Sequence, residues 1–360
     1  MRILLAAPED RTVLGTIGRN CRDALVEMNN EVSVFDFRKR PYSGSGLFAG
    51  LKKAVRRAMP LFPSPYDIFP GFNYRLNLKI NREFRETALN FKPELILVLF
   101  GENIFPQTMS DIRKGLDVPY IVNWFHDTLL SAPRRRMLER VISGYDILFT
   151  VDSRRASGTV NISAKRVEVL PLACNPRVHR KIELTAREKD LYGSDVAFVG
   201  TVTPDRLPWL EQLAGFDLKI WGRWSGRSKI LEKCYRKKDV YGEEAAKIYN
   251  ASRIVIDMHS LWGRRQELFN VTPRVFEVPA CGGFLLTNRS EQLNDLYKPE
   301  EEMVVYNDIG ELKRLISYYL GHERQRLDIS ARAYARAHKE HTYRNRLETL
   351  LEIVKGNAEV

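Results

Sequence analysis

DVAFVGTVTPDRLPWL, residues 195–210, passes from a strand-length apolar run to a helix start within a few residues. Residues 196–199 read as the strand and Gly200 ends it. Thr203 then supplies an N-cap and Pro204 suits a first helical turn. FNVTPRVFEVPACGGFLLT, residues 269–287, repeats the construction. Thr272–Pro273 open a second helix, and Ala280–Cys281–Gly282–Gly283 close it before the next strand. A strand, a tight loop and a helix, used twice, is the unit of a parallel α/β sheet.

The same alternation extends to both ends of the chain. In the first half, strands are expected at 2–7, 32–37, 95–100, 120–124 and 147–151, with helices at 17–28, 75–90 and 105–113. A second series places strands at 196–199, 218–221, 254–258, 284–287 and 303–306. Its helices are expected at 204–213, 243–250, 273–280, 290–297 and 309–320. At 360 residues the chain is long enough for two domains. The reading is therefore two doubly wound, Rossmann-like domains facing across a cleft: residues 1–175, and residues 190–340. A linker falls at 171–191, and a last helix at 342–356 packs back on the first domain. Such sheets bind ligands beyond the carboxyl ends of their strands, where strand order reverses.

Composition narrows the class. With 44% hydrophobic and 28% charged residues the chain is an ordinary globular one. Cys21, Cys174, Cys234 and Cys281 are scattered, with no C-x-x-C and no adjoining histidines. That fits neither a disulfide framework nor a structural zinc, and suits a reducing cytosol. The first apolar run is followed at once by Glu9 and Asp10, unlike a signal peptide, and no stretch approaches a bilayer span. The net charge of +12 suits nucleic acid, anionic lipid or phosphorylated small molecules. Seven basic residues and no acid lie between Phe37 and Tyr66. Within that stretch residues 47–59 read as an amphipathic helix, suited either to peripheral contact with the inner membrane face or to packing on its own domain. No nucleic-acid reading motif is present, so nucleic acid is not an expected partner.

The two helix starts share an arginine in the first turn, Arg206 and Arg274. A cation is unfavourable at the positive end of a helix unless an anion joins it, so a diphosphate would resolve the conflict. The alternative for Arg206 is solvent or a pair with Asp205. For Arg274 it is an i,i+3 pair with Glu277. An ionised Glu277 could instead accept hydrogen bonds from two vicinal hydroxyls. His126 and Asp127 follow the strand at 120–124, where a histidine oriented by a carboxylate can act as donor or base. The bland reading is an N-cap at Asp127 beside a half-buried histidine. His259 stands similarly after 254–258, and Gly15 and Gly18 are placed in the loop after the first strand, where backbone could approach a ligand. No D-x-D occurs, so no metal and no cofactor are expected; arginines would neutralise a leaving diphosphate.

AFVGTVTPDR, LKIWG, IYNASRIVIDMH, FNVTPRVFEVPACGGFLLT, ISYYLGHERQR and EHTYRNRLETLL run in order through the last part of the chain. Together they resemble the C-terminal domain of CgeB-like (spore maturation protein) glycosyltransferases of the group-1 type. The resemblance implies a GT-B fold and transfer of a sugar from a nucleoside diphosphate sugar to a glycan, protein or lipid-linked acceptor, with retention. It implies Arg206 and Arg274 at the diphosphate, Glu277 at the ribose, and Trp221–Gly222 near the base, with Gly200 and Thr272 in the same loops. It also puts His126 near the donor sugar. The wider group carries two glutamates separated by seven residues, and here Phe269 holds the first position. Asn270 and Val271 would cover that ground. A non-catalytic nucleotide-sugar binder is the alternative this departure favours; a nucleic-acid-binding protein is a further one.

Overall fold

The computed structural model describes residues 1–10, 12–38, 70–117, 120–126, 138–152, 164–224, 228–259 and 271–356, with side chains of the helix at 70 taken from residue 74. The chain divides into two compact units, Met1–Pro171 with Leu347–Val360, and Leu172–Arg346.

The first unit holds a six-stranded sheet in the order β2-β1-β3-β4-β5-β6. The strands are β1 (Arg2–Ala6), β2 (Glu31–Phe35), β3 (Leu95–Leu99), β4 (Tyr120–Phe125), β5 (Ile147–Thr150) and β6 (Val167–Val169), every pairing parallel. β3 reads LILVL and is buried throughout, as a parallel strand covered on both faces must be. Helices α1 (Val13–Glu27), α2 (Pro70–Phe91) and α3 (Pro106–Gly115) accompany it. Phe84 and Ala88 of α2 and Met109 and Ile112 of α3 join the core over β1, β3 and β4.

The second unit holds β7 (Val196–Val199), β8 (Leu218–Trp221), β9 (Ile254–Ile256), β10 (Leu285–Asn288) and β11 (Val304–Tyr306), parallel in the order β11-β10-β9-β7-β8. Strand order reverses between β7 and β9, the expected place for a ligand. Its helices are α4 (Ala186–Tyr192), α5 (Leu207–Gln212), α6 (Glu243–Ala251), α7 (Arg274–Ala280), α8 (Glu291–Leu296), α9 (Ile309–Gly321) and α10 (Glu323–Glu340); α11 (Tyr343–Gly356) follows. Among the described residues no helix is long and apolar enough to cross a membrane.

Three expectations are corrected. The charged stretch assigned to a linker contains α4, nucleated by a capping box: the Thr185 side chain accepts from Glu188 N–H while Glu188 accepts from Thr185 N–H. The helix expected at 204 starts at Leu207, preceded by a turn in which Arg206 and Leu207 N–H both donate to Thr203 O at 3.0 Å. Finally, α1 begins at Val13, capped by Thr12, so Gly15 and Gly18 lie inside a helix and not in a loop. A Cβ on Gly15 would meet the Asp10 carbonyl oxygen at 1.9 Å, and one on Gly18 the Pro8 carbonyl oxygen at 2.1 Å. These glycines admit the close approach of the chain's own Pro8–Asp10 backbone.

Candidate functional site

Strand register brings the ends of β7 and β9 together: Phe198 pairs with Ile256, so Val199 and Asp257 emerge side by side and Gly200 follows. On the other flank Val199 pairs with Trp221, and Gly222 follows at φ +120°. A side chain on Gly222 would press against the Gly200 carbonyl oxygen at 2.3 Å, so glycine is required there by conformation and by contact. A Cβ on Gly200 would touch the Arg274 guanidinium at 3.0 Å. The edge is thus pared down to let Arg274 lie across it.

Asp257 organises what lies there. Its carboxylate is fully buried and accepts hydrogen bonds from Arg274 Nε at 2.7 Å, Thr272 Oγ1 at 2.8 Å and Thr287 Oγ1 at 3.0 Å. Its backbone oxygen accepts from Tyr306 Oη at 2.6 Å. Burial alone would raise the carboxyl pKa, but Arg274 and His259 together with these donors hold it down at about 2. Reciprocally, burial works to lower the Arg274 pKa and Asp257 more than offsets it. Arg274 Nη1 also donates to the Val199 carbonyl at 2.8 Å. Its ion pair is therefore with Asp257 and not, as the i,i+3 spacing allowed, with Glu277.

Arg206 is placed differently. Its Nη1 donates to Thr201 O at 2.8 Å, and its guanidinium lies 5.7 Å from the centre of the Phe198 ring. Nε is buried with no hydrogen-bond partner among the described residues. Burial, then repulsion from Arg274, push its pKa down to about 10. His259 is nearly enclosed; its backbone N–H donates to Asn288 Oδ1 at 2.8 Å and its Nε2 lies 3.7 Å from Asp257 Oδ2. That nitrogen too has no hydrogen-bond partner among the described residues. Burial lowers its pKa against the pull of Asp257, with Arg274 and Arg206 lowering it further. Arg206 and Arg274, with Asp205 and Asp257 acting on them, make a donor-rich edge that can meet an anion.

Glu277, in the first turn of α7, takes no part in this network. Its Oε2 accepts from Tyr249 Oη at 3.3 Å, and its Oε1 lies 3.8 Å from His179 Nε2. Trp221 is 2% exposed and its ring packs 5.6 Å from that of Tyr192, so it offers no stacking face. Both faces of β8 are buried, which alternation alone does not reveal. Gly222 and the backbone beyond it form that part of the edge. Asn270 lies outside the described residues, as do Asp127 and the amphipathic segment at 47–59.

His126 follows β4 in the first unit. It is buried between Phe100 and Trp124, at ring distances of 5.1 and 4.4 Å. Neither ring nitrogen has a hydrogen-bond partner among the described residues. Burial pushes its pKa down to about 3, so the ring is neutral at any physiological pH. Beside it Phe100 and Gly101 adopt consecutive left-handed conformations, φ +68° and +72°. Asn123 Nδ2 donates to the Val98 and Phe100 carbonyls at 3.1 Å each, and Tyr145 Oη to that of Gly101 at 3.2 Å.

Asp257 and His179 were not among the residues singled out from sequence. A carboxylate directly after a buried apolar strand was a readable signal for the first. His179 sits in the stretch read as a linker.

In structure the chain is similar to sucrose-phosphate synthase from Thermosynechococcus elongatus, with TM-score 0.69, 12% identity and 100% of both chains covered. It is similar to Anabaena HepE in complex with UDP-glucose, with TM-score 0.63 and 12% identity over 99% of this chain and 100% of that one. Trehalose 6-phosphate synthase from Burkholderia multivorans gives TM-score 0.61 and 12% identity over 99% and 97%. These three neighbours are glycosyltransferases. No curated protein matches the chain in sequence. The fold is that of GT-B glycosyltransferases, and residues 206–352, which carry Arg206, Asp257, Arg274 and Glu277, match the family described as glycosyl transferase-like.

Proposed function

We propose that the protein is a glycosyltransferase that moves a sugar from a nucleoside diphosphate sugar to a glycan, protein or lipid-linked acceptor. The observation that carries the reading is the edge at the β7–β9 switch point. There Arg206, with a buried and unpartnered Nε, stands beside Arg274, which Asp257 holds in place. When the bond from the sugar's anomeric carbon to the diphosphate breaks, negative charge grows on the leaving oxygen. Preorganised guanidinium donors stabilise that charge more than they stabilise the ground state. Arginines do this without a resident metal. Glu277 would accept the ribose hydroxyls, and His126 would donate to the transferred sugar as a neutral ring. The HepE neighbour is described in complex with UDP-glucose, which supports a nucleotide sugar as donor. Retention of anomeric configuration, the CgeB-like subtype, action in the cytosol and peripheral membrane contact through residues 47–59 belong to the same reading.

A panel of UDP, GDP, TDP and CMP, with their sugars, tests it by thermal shift. A ligand at 100 times its dissociation constant should stabilise the fold by about 2.7 kcal/mol. No shift with any of them would refute the donor site. The second reading, a binder without chemistry, is favoured by Phe269 at the position of the first family glutamate. Tight nucleotide-sugar binding with neither transfer nor donor hydrolysis would decide for it.

A further inference from the structure

Behind Glu277 stand two buried rings, one for each carboxylate oxygen. Tyr249, 2% exposed, places its hydroxyl 3.3 Å from Oε2, and His179, 1% exposed, places Nε2 3.8 Å from Oε1. The tautomer of His179 is set from its far side. The backbone N–H of Asn175 donates to Nδ1 at 3.1 Å, so the neutral ring carries its proton on Nε2, the nitrogen facing Glu277. Burial keeps that ring neutral, against the opposing pull of Glu277. The segment bearing it is a tight turn, in which Val178 and His179 N–H donate to Asn175 O at 3.0 and 2.7 Å and Arg177 N–H to Asn175 Oδ1 at 3.0 Å. Asn250, next to Tyr249 on α6, ties the two anchors together. Its side chain accepts from Ile182 N–H at 3.0 Å and donates to Arg180 O at 2.9 Å.

We infer that His179 and Tyr249 are positioning residues that aim the Glu277 carboxylate outward at a vicinal diol, making the site selective for ribonucleotides over 2′-deoxyribonucleotides. This rests on the donor-site reading above. A carboxylate has more acceptor directions than the Tyr249 hydroxyl and the nearby His179 ring take up, and the outer ones remain for ligand hydroxyls. With its rotamer held, Glu277 accepts from both hydroxyls at once, and removing one leaves an acceptor direction unmet. A carboxylate free to turn would satisfy itself with one hydroxyl and water, and discriminate weakly. The rings thus supply orientation, while Glu277 makes the contact.

UDP, GDP and their 2′-deoxy counterparts, titrated calorimetrically into the full chain, test this. The wild type should prefer the ribonucleotide by about tenfold or more. Tyr249→Phe and His179→Gln should each reduce the preference to about two- to threefold, while inorganic pyrophosphate still competes with wild-type potency. Tyr249→Phe keeps the ring and its packing, so it decides the matter even if His179→Gln fails to fold. Folded variants with the wild-type preference would overturn the positioning role and leave the donor site standing. Equal binding of both sugars by the wild type would remove Glu277 from the ribose. No binding of UDP, GDP, TDP or CMP would reject the donor reading itself, and this inference with it.

Discussion

The carboxyl edges of the two sheets are built in opposite ways. In the second unit the edge is a charged network: Asp257 collects donors from the loop before α7, from α7 itself and from β10, and its backbone oxygen takes the Tyr306 hydroxyl of β11. In the first unit the edge after β4 is aromatic: His126 lies between the rings of Phe100 and Trp124, while Gly15 and Gly18 pack against Pro8–Asp10. A buried charge network fixes its members strongly, and beside it Arg206 keeps a buried Nε without a hydrogen-bond partner among the described residues. An aromatic wall instead holds one polar ring neutral, with neither nitrogen hydrogen-bonded among the described residues.

Breaking the network should have the largest effect. Arg274→Met strands the Asp257 carboxylate in the interior, at a cost of about 3–5 kcal/mol. Chemical denaturation should register that loss together with loss of nucleotide binding. Full stability in this variant would mean that the network is ornamental.

His126→Phe tests the neutral wall in two ways. Turnover or donor hydrolysis should fall by about 10²–10⁴ while nucleotide affinity is kept; loss of affinity instead would give His126 a different role. The second readout is stability against pH. The unfolded ring takes up a proton near its ordinary value of 6.5, but the folded one only near about 3. Below 6.5 the unfolded state therefore binds more protons. The wild type has this contribution in full above 6.5 and loses it progressively as pH falls toward 3, up to roughly 4 kcal/mol. The phenylalanine variant should show a shallower decline over that window. An unchanged slope would place the loss in other buried groups.

Gly15→Ala asks whether the first edge is closed by its own backbone. The added methyl should cost about 1–3 kcal/mol, seen as a lower Tm, with nucleotide affinity moving only as far as the lost stability requires. A selective loss of affinity would return Gly15 to the ligand. The smallest effect is expected from chelation: EDTA should leave turnover where it was, since arginines neutralise the leaving group. Loss on chelation and recovery with a divalent cation would contradict that division of labour.

The contrast also explains what was legible in the sequence. Thr272, Arg274 and Glu277 lie within one local pattern, and the structure puts all three at the start of α7. Asp257 gains its importance only when residues 257, 272, 274, 287 and 306 meet, which a local reading does not see. His179 was hidden by the Pro-interrupted stretch taken for a linker, although the Thr185–Glu188 capping box within that stretch was readable. Gly15 and Gly18 were misplaced because glycine suggested a loop, while Thr12 was already capping a helix. Trp221 is placed near the base by the resemblance alone, and burial on both faces of a parallel strand keeps its ring inside.

The central claim is that Arg206 and its surroundings are a nucleoside diphosphate site. Calorimetric titration of UDP and GDP into the wild type and Arg206→Gln tests it most directly. The hydrogen bond that Arg206 makes among the described residues runs from Nη1 to a backbone carbonyl, so its loss should change stability by about 1 kcal/mol. Affinity for the bound nucleotide should drop by about ten- to a hundredfold, since a hydrogen bond to a charged group is lost. A variant that binds as tightly as the wild type, or a wild type that binds neither these nor TDP or CMP, would contradict the account.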